Sequence, residues 1–415
     1  MSTDSSFPQM SGAATGVGSM PGTDVREAVR TVVGALEQLP HLPELPARGP
    51  GADMLGRTLG LLAELHAQVE PSGWRITDRP GRDMRRAAAW MREDLDTLEE
   101  FTQGYEGALK VQVVGPWTLA AGTELRSGEP ALSDAGACRD LAASLVEGVR
   151  DHLRALARRI PGARLLLQLD EPSLPAVLAG GVPTASGYRR VPPVEAAIVQ
   201  EALRGVIDAV AVAVPPAAVR AEVAEGQVAD RHARDGHAPE HAGADPEAAR
   251  REAERLAAER EAARIPVVVH CCARRVPVAL LRRAGARGVS LDVALLSQEQ
   301  DDEIAEAVES GVRLFAGAVP TSLTSAAARA SAPATPSAQA GATPRPARDP
   351  LSDPAGSVSG VRALWRRIGL PPTSLATSVV VTPACGLAGA DPGYARRALV
   401  HAARAAKILV DDPEG

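Results

Sequence analysis

The sequence has no apolar run approaching the ~20 residues that a membrane-spanning helix needs. Its opening stretch, Met1 to Met10, is polar, with no basic region leading into a hydrophobic one. A soluble, cytoplasmic protein is expected. Surplus positive charge is lacking too: 45 Lys and Arg stand against 51 Asp and Glu, a formal net charge of -6. That balance carries no electrostatic footprint for nucleic acid or an anionic membrane, so a small molecule is the expected partner. Lysine is nearly missing, present only as Lys110 and Lys407. Cysteine is scarce as well. Four in 415 residues, two of them adjacent, make no disulfide framework; in a reducing compartment such cysteines are more often buried, metal-bound or catalytic.

What is there is a rhythm. Short apolar segments ending in Gly, Pro or a polar residue recur at 14–20, 41–46, 108–117, 163–171, 265–272, 288–293, 312–319 and 378–385. Between them lie stretches with apolar residues spaced at three and four, which predicts helices over 25–38, 137–159, 194–214, 298–309 and 392–410. Strand–helix alternation predicts a parallel sheet, and eight such units in one chain favour closure into a single (β/α)8 TIM barrel spanning residues 1–415. Two stretches do not fit a packed unit. Residues 217–264 are rich in Ala, Glu, Arg and His, which predicts a charged surface insertion; residues 322–353 are Ala, Pro, Ser and Thr in low complexity, which predicts a flexible one.

The polar residues of these segments fall at or near their C-terminal ends: Ser19, Asp170, Glu171, His270, Cys272, Asp292 and Cys385. In a barrel those ends converge on one mouth, the face that carries catalytic groups. Val267-Val268-Val269-His270-Cys271-Cys272 is a buried strand ending in three candidate ligands. Alternation along it puts His270 and Cys272 on one side and Cys271 on the other. Cys385 arrives from the eighth segment. One imidazole and two thiolates suit Zn²⁺, with Asp292 as a candidate fourth, exchangeable ligand. Each has a plainer alternative: packing for a lone His or Cys, a helix cap for Asp292. Gln168-Leu169-Asp170-Glu171-Pro172 ends another strand in adjacent carboxylates that point to opposite sides, one into the mouth and one towards packing or a helix start. A carboxylate in the mouth would hold an ammonium or a cation, or pair with a nearby Arg.

At these residues the sequence resembles the cobalamin-independent methionine synthases, specifically their C-terminal catalytic barrel and the archaeal-type short forms. Thr15-Gly16-Val17-Gly18-Ser19-Met20-Pro21 looks like the family's opening Ile-Gly-Ser-Phe-Pro strand, and Gly115-Pro116-Trp117-Thr118 like its Gly-Pro-Val-Thr. Gln168 to Pro172 looks like its Gln-Ile-Asp-Glu-Pro. The family's zinc motif, His-x-Cys followed far downstream by Pro-x-Cys-Gly, is matched by His270-Cys271-Cys272 and Pro383-Ala384-Cys385-Gly386.

The resemblance implies Zn²⁺ on His270, Cys272 and Cys385, with Asp292 where the family has a longer glutamate ligand. It implies homocysteine as acceptor, its amine on Asp170 and its carboxylate on Ser19, with Glu171 beside them in the substrate set and Asp170 and Asp292 as the catalytic carboxylates. The implied donor is a methylated folate, 5-methyltetrahydropteroyltri-L-glutamate; a methylcorrinoid donor, another thiol acceptor, or a non-catalytic barrel that binds zinc or a thiol metabolite are the alternatives. Two departures stand out. The family's N-terminal half, which helps bind the folate, has no counterpart here. Its histidine acid, in the strand before the last, is replaced by Phe315-Ala316-Gly317-Ala318-Val319-Pro320.

Overall fold

The computed structural model describes residues 7–8, 10–214, 255, 263–322 and 349–415. The insertions expected at 217–264 and 322–353 fall almost wholly outside those residues.

Six of the eight expected strands form one parallel sheet. In chain order the strands are β1 (His66–Glu70), β2 (Gly73–Thr77), β3 (Ala108–Val114), β4 (Thr123–Glu124), β5 (Arg164–Asp170), β6 (Val267–His270), β7 (Gly288–Asp292), β8 (Arg313–Val319) and β9 (Val379–Pro383). The large sheet runs β3-β5-β6-β7-β8-β9. Two extended segments at 14–19 and 41–44 close it into a ring. Thr15 N–H donates to Val381 O on β9, Met20 N–H to Glu44 O, and Leu42 N–H to Lys110 O on β3, at 2.8–3.1 Å. Parallel bridges Ala14–Val381, Ser19–Glu44 and His41–Lys110 mark the same closure. The molecule is therefore an α/β barrel of eight parallel members.

Helices cover the outside because each presents one apolar face. Val25–Ala35 buries Val25, Ala28, Val29 and Val32; Ala135–Arg159 buries Leu141, Leu145, Val149, Leu153 and Leu156. Both begin at an aspartate whose side chain accepts from the first-turn amides, Asp24 from Glu27 N–H and Asp134 from Gly136 and Ala137 N–H. The remaining expected helices are present as Ala196–Ala211, Asp301–Glu309 and Pro392–Asp411. No helix among the described residues is long and apolar enough to cross a membrane.

A feature not expected from sequence is the small sheet β1-β2-β4, a hairpin with a parallel third strand. Its strands bury only Ala67, Trp74 and Thr123, so they carry almost no apolar alternation to read.

Inside the ring, side chains stack in layers two residues apart along each strand. The lowest layer is apolar: Ala108, Leu166, Val268, Phe315 and Val380, plugged from below by Phe7, Met10, Ala13 and Leu39. The next residues up are Lys110 on β3, Gln168 on β5, His270 on β6 and Thr382 on β9, all buried. The change from apolar floor to polar upper layers is what leads from core to site.

Candidate metal centre

His270 is the last residue of β6 and is buried, its Cα paired in register with Asp170 on one side and Ser290 on the other. Two residues on, Cys272 lies on the same side, while Cys271 points away into the apolar core. Cys385 follows β9 after Pro383-Ala384. The imidazole nitrogen and the two sulfurs lie within 4.8 Å of one another, and the sulfurs are 3.4 Å apart. The structure thus brings together residues 113 positions apart in the chain.

The imidazole is aimed by its neighbour. His270 Nδ1 hydrogen-bonds Ser290 Oγ at 2.9 Å, and Nε2 is buried with no partner. A buried ring nitrogen left without a partner is costly unless something occupies that direction. With Nδ1–H donated to the serine, Nε2 carries its lone pair towards the two sulfurs. The two sulfurs hydrogen-bond each other. Hydrogen bonding from Cys272, more than the nearby His270, pulls Cys385 down to about 4, and the same bond together with burial pushes Cys272 up.

This donor set fits zinc. Two thiolates on one tetrahedral Zn²⁺ at ~2.3 Å lie roughly 3.8 Å apart, a spacing the sulfurs need only small shifts to reach. A second partner fixing the ring of a ligating histidine is the usual support of such a centre.

Asp292 does not join the three. Its Oδ1 accepts from Ala294 N–H at 2.9 Å and caps the short 3-10 helix Val293–Leu295, the alternative that the sequence left open.

The paired carboxylates of β5 point to opposite sides, as alternation requires. Glu171 turns outward and is fully buried: its oxygens accept from Trp117 N–H at 2.9 Å, Thr118 N–H at 2.7 Å and Thr118 Oγ at 2.8 Å. It holds the start of helix Pro116–Gly122, so the structure spends Glu171 on the fold rather than on the mouth. Gly115 is obligatory there, because a Cβ would lie 2.4 Å from Glu171 Oε1. Asp170 faces the interior, its Oδ1 accepting from Gln168 Nε2 at 2.7 Å. Burial raises it to about 7, opposed by His270 and Lys110 and reinforced by Glu44.

Ser19 packs on the loop that carries Cys385. Its carbonyl accepts from Leu387 N–H at 2.8 Å, and a Cβ at Gly386 would meet its hydroxyl at 2.0 Å. Ser19 thus sits against the loop that carries Cys385, and the glycine after Cys385 leaves room for it.

Sequence reading passed over Ser290, Glu44, Lys110 and Gln112. Lys110 and Gln112 did leave a signal, as polar residues two apart on a strand that is otherwise apolar. Glu44 and Ser290 left none, because their importance comes from neighbours on other strands. On β8, Gly317 is wedged between Leu291 O and the Ala384 backbone, at 2.7 and 2.8 Å from where a Cβ would stand. The stretch 315–320 carries no ionisable side chain.

No protein-family model matches the chain, and no curated protein matches it in sequence. Among solved structures it is similar to a B12-independent methionine synthase from Shewanella sp. W3-18-1 in complex with selenomethionine. The TM-score is 0.50 at 10% identity, covering 97% of this chain and 98% of the other. The likeness is one of fold. It extends over nearly the whole of both chains and agrees with the barrel assembled above.

Proposed function

We propose that this protein is a zinc-dependent methyltransferase related to the cobalamin-independent methionine synthases. In this reading it moves a methyl group from 5-methyltetrahydropteroyltri-L-glutamate, or a related donor, to the thiol of homocysteine, giving methionine. The observation that carries the reading is the convergence of His270, Cys272 and Cys385 at the C-terminal mouth of the barrel. The fold-level neighbour, a methionine synthase holding selenomethionine, supports it.

When bound, zinc supplies Lewis-acid chemistry that lowers the pKa of a thiol from its ordinary ~8.5. The chain's own residues do the rest. His270 Nε2 and the two cysteine sulfurs would hold the ion, and Ser290 would keep the imidazole in the ligating tautomer. Asp292, whose Oδ1 caps the helix that follows it, would have to turn an oxygen to the ion to serve as the exchangeable ligand. Asp170 would receive the substrate's ammonium; burial raises this carboxyl to about 7, and a positive charge beside it would favour the ionised form. Ser19, beside the Cys385 loop, receives the substrate carboxylate.

A second reading of the donor rests on β8. Transfer breaks a nitrogen–methyl bond in a folate donor, and that amine leaves poorly unless protonated. The stretch 315–320 offers no acid. A donor with a better leaving group, such as a methylcorrinoid, needs none.

The test is calorimetric. Homocysteine binding to the zinc-loaded protein should release a proton near neutral pH. Asp170→Asn should weaken that binding roughly ten- to hundredfold, the equivalent of about 1.5–3 kcal/mol for a hydrogen bond to a charged group, and should leave the zinc content unchanged. Equal affinity in both proteins with no proton released would overturn the assignment of this acceptor.

A further inference from the structure

Lys110 is one of two lysines in the chain, and it is fully buried inside the barrel. Its Nζ donates to Val17 O at 2.9 Å, Gln168 Oε1 at 2.8 Å and Gln112 Oε1 at 3.3 Å. All three ammonium protons are therefore used, and every acceptor is neutral. The two glutamines then pass the interaction on. Gln168 Nε2 donates to Val17 O at 2.9 Å and to Asp170 Oδ1 at 2.7 Å. Gln112 Nε2 donates to Leu42 O at 2.7 Å and to Glu44 Oε1 at 3.2 Å. Two arms leave one ammonium, and each ends in a buried carboxylate.

A glutamine amide has two nearly isosteric orientations, and its surroundings choose between them. Here the ammonium demands oxygen, which leaves only NH2 to face the carboxylates. Val17 O and Leu42 O favour the same orientation from the nitrogen side, and Lys110 supplies the donor on the oxygen side. Replaced by an apolar side chain, it would leave both amide oxygens without that donor and both amides less firmly held against Asp170 and Glu44. Packing alone does not account for a lysine here, because an apolar chain of the same length would fill the space without burying a charge. Burial lowers this lysine to about 8, with Asp170 and Glu44 opposing the shift, and the three acceptors around Nζ match the three protons of an ammonium.

We infer that Lys110 is a positioning residue: through the amide of Gln168 it fixes Asp170 as a hydrogen-bond acceptor for the ammonium of an amino-acid substrate, while its other arm, through Gln112, holds Glu44. The substrate half of this inference rests on the proposed function; the orientation of the two amides does not.

The test uses the zinc-loaded full chain carrying Lys110→Met, with two readouts. The first is independent of any substrate. Side-chain amide protons of Gln112 and Gln168, observed by ¹⁵N–¹H NMR, should exchange with solvent at least about tenfold faster in the variant; unchanged exchange overturns the orienting role. The second is selectivity. Homocysteine affinity should fall by about tenfold, whereas 4-sulfanylbutanoate, the same thiol acid without the amine, should bind as before, with zinc content constant. Equal loss for both thiols would mean a merely structural role and overturn the proposal. Binding of neither thiol by the wild-type protein would sink the proposed acceptor, and amide exchange would still judge the relay. Should Lys110→Met fail to fold, Gln168→Glu keeps the shape and the contact to Lys110 but removes the N–H aimed at Asp170. It should lose homocysteine selectively, and unchanged selectivity would overturn the relay.

Discussion

The hydroxyl of Ser290 hydrogen-bonds Nδ1 of His270, the nitrogen that does not face the cysteines. Ser290→Ala removes one oxygen from a buried position and leaves all three ligands in place, so the loss should appear in metal affinity rather than in fold. Loss of such a supporting partner costs ten- to a hundredfold in affinity as an order of magnitude. Competition against a graded series of chelators would measure it, and unchanged zinc affinity would show that the ring is held by packing alone. Cys272→Ser and Cys385→Ser should go further and lose the ion on dialysis, read as zinc per chain by elemental analysis; stoichiometric zinc retained by both would remove the centre from these residues. At this scale the three candidate ligands that the fold brings together were legible because strand ends and the His-x-Cys spacing mark them. Their supports were not. A serine in a strand reads as any other serine until the fold brings a particular histidine nitrogen to 2.9 Å.

Helix Ala135–Arg159 carries His152 on its inner face, 4% exposed, with Nε2 unpartnered. Burial, with a smaller contribution from Arg57, lowers it from 6.5 to about 3. The folded protein therefore binds fewer protons here than the unfolded chain between those values. Stability present above about 6.5 is lost as the pH falls towards about 3, with a slope of up to one proton. Urea midpoints measured across that window should fall less steeply in His152→Phe than in the parent; parallel slopes would show that this histidine is already accessible to water. Another element-scale constraint lies in the first barrel segment. A Cβ on Gly16 would stand 2.3 Å from the ring of His41, so Gly16→Ala should destabilise by about 1–3 kcal/mol. His41→Ala in the same chain should recover much of that loss, and strictly additive effects would contradict the contact. The large barrel strands and the helices at 25–35, 135–159, 196–211, 301–309 and 392–411 were readable from apolar spacing, whereas the 20-residue helix Arg82–Phe101 was not expected. The hairpin β1–β2 was not, because strands that bury so little have no pattern to show.

At the scale of the molecule, the ring is closed by segments joined through a few backbone hydrogen bonds, and those segments deliver Ser19 and Glu44 to the interior. Eight apolar segments in the sequence were enough to announce closure. They could not announce which polar side chains the closed ring would face towards one another, since Glu44, Gln112, Lys110, Gln168 and Asp170 come from three different members of the ring. Closure also sets a timetable. Cys385 leaves the ribosome 113 residues after Cys272, on the order of ten seconds later at ordinary rates of translation. For that interval a nascent chain offers two ligands and no barrel behind them. The last strand brings the third candidate ligand and the partner of residues 13–15 together, so on the proposed site competence to hold an ion tightly would arrive only with the closed ring. On the proposed zinc site, an unfinished or truncated chain would be a poor competitor for the cell's zinc.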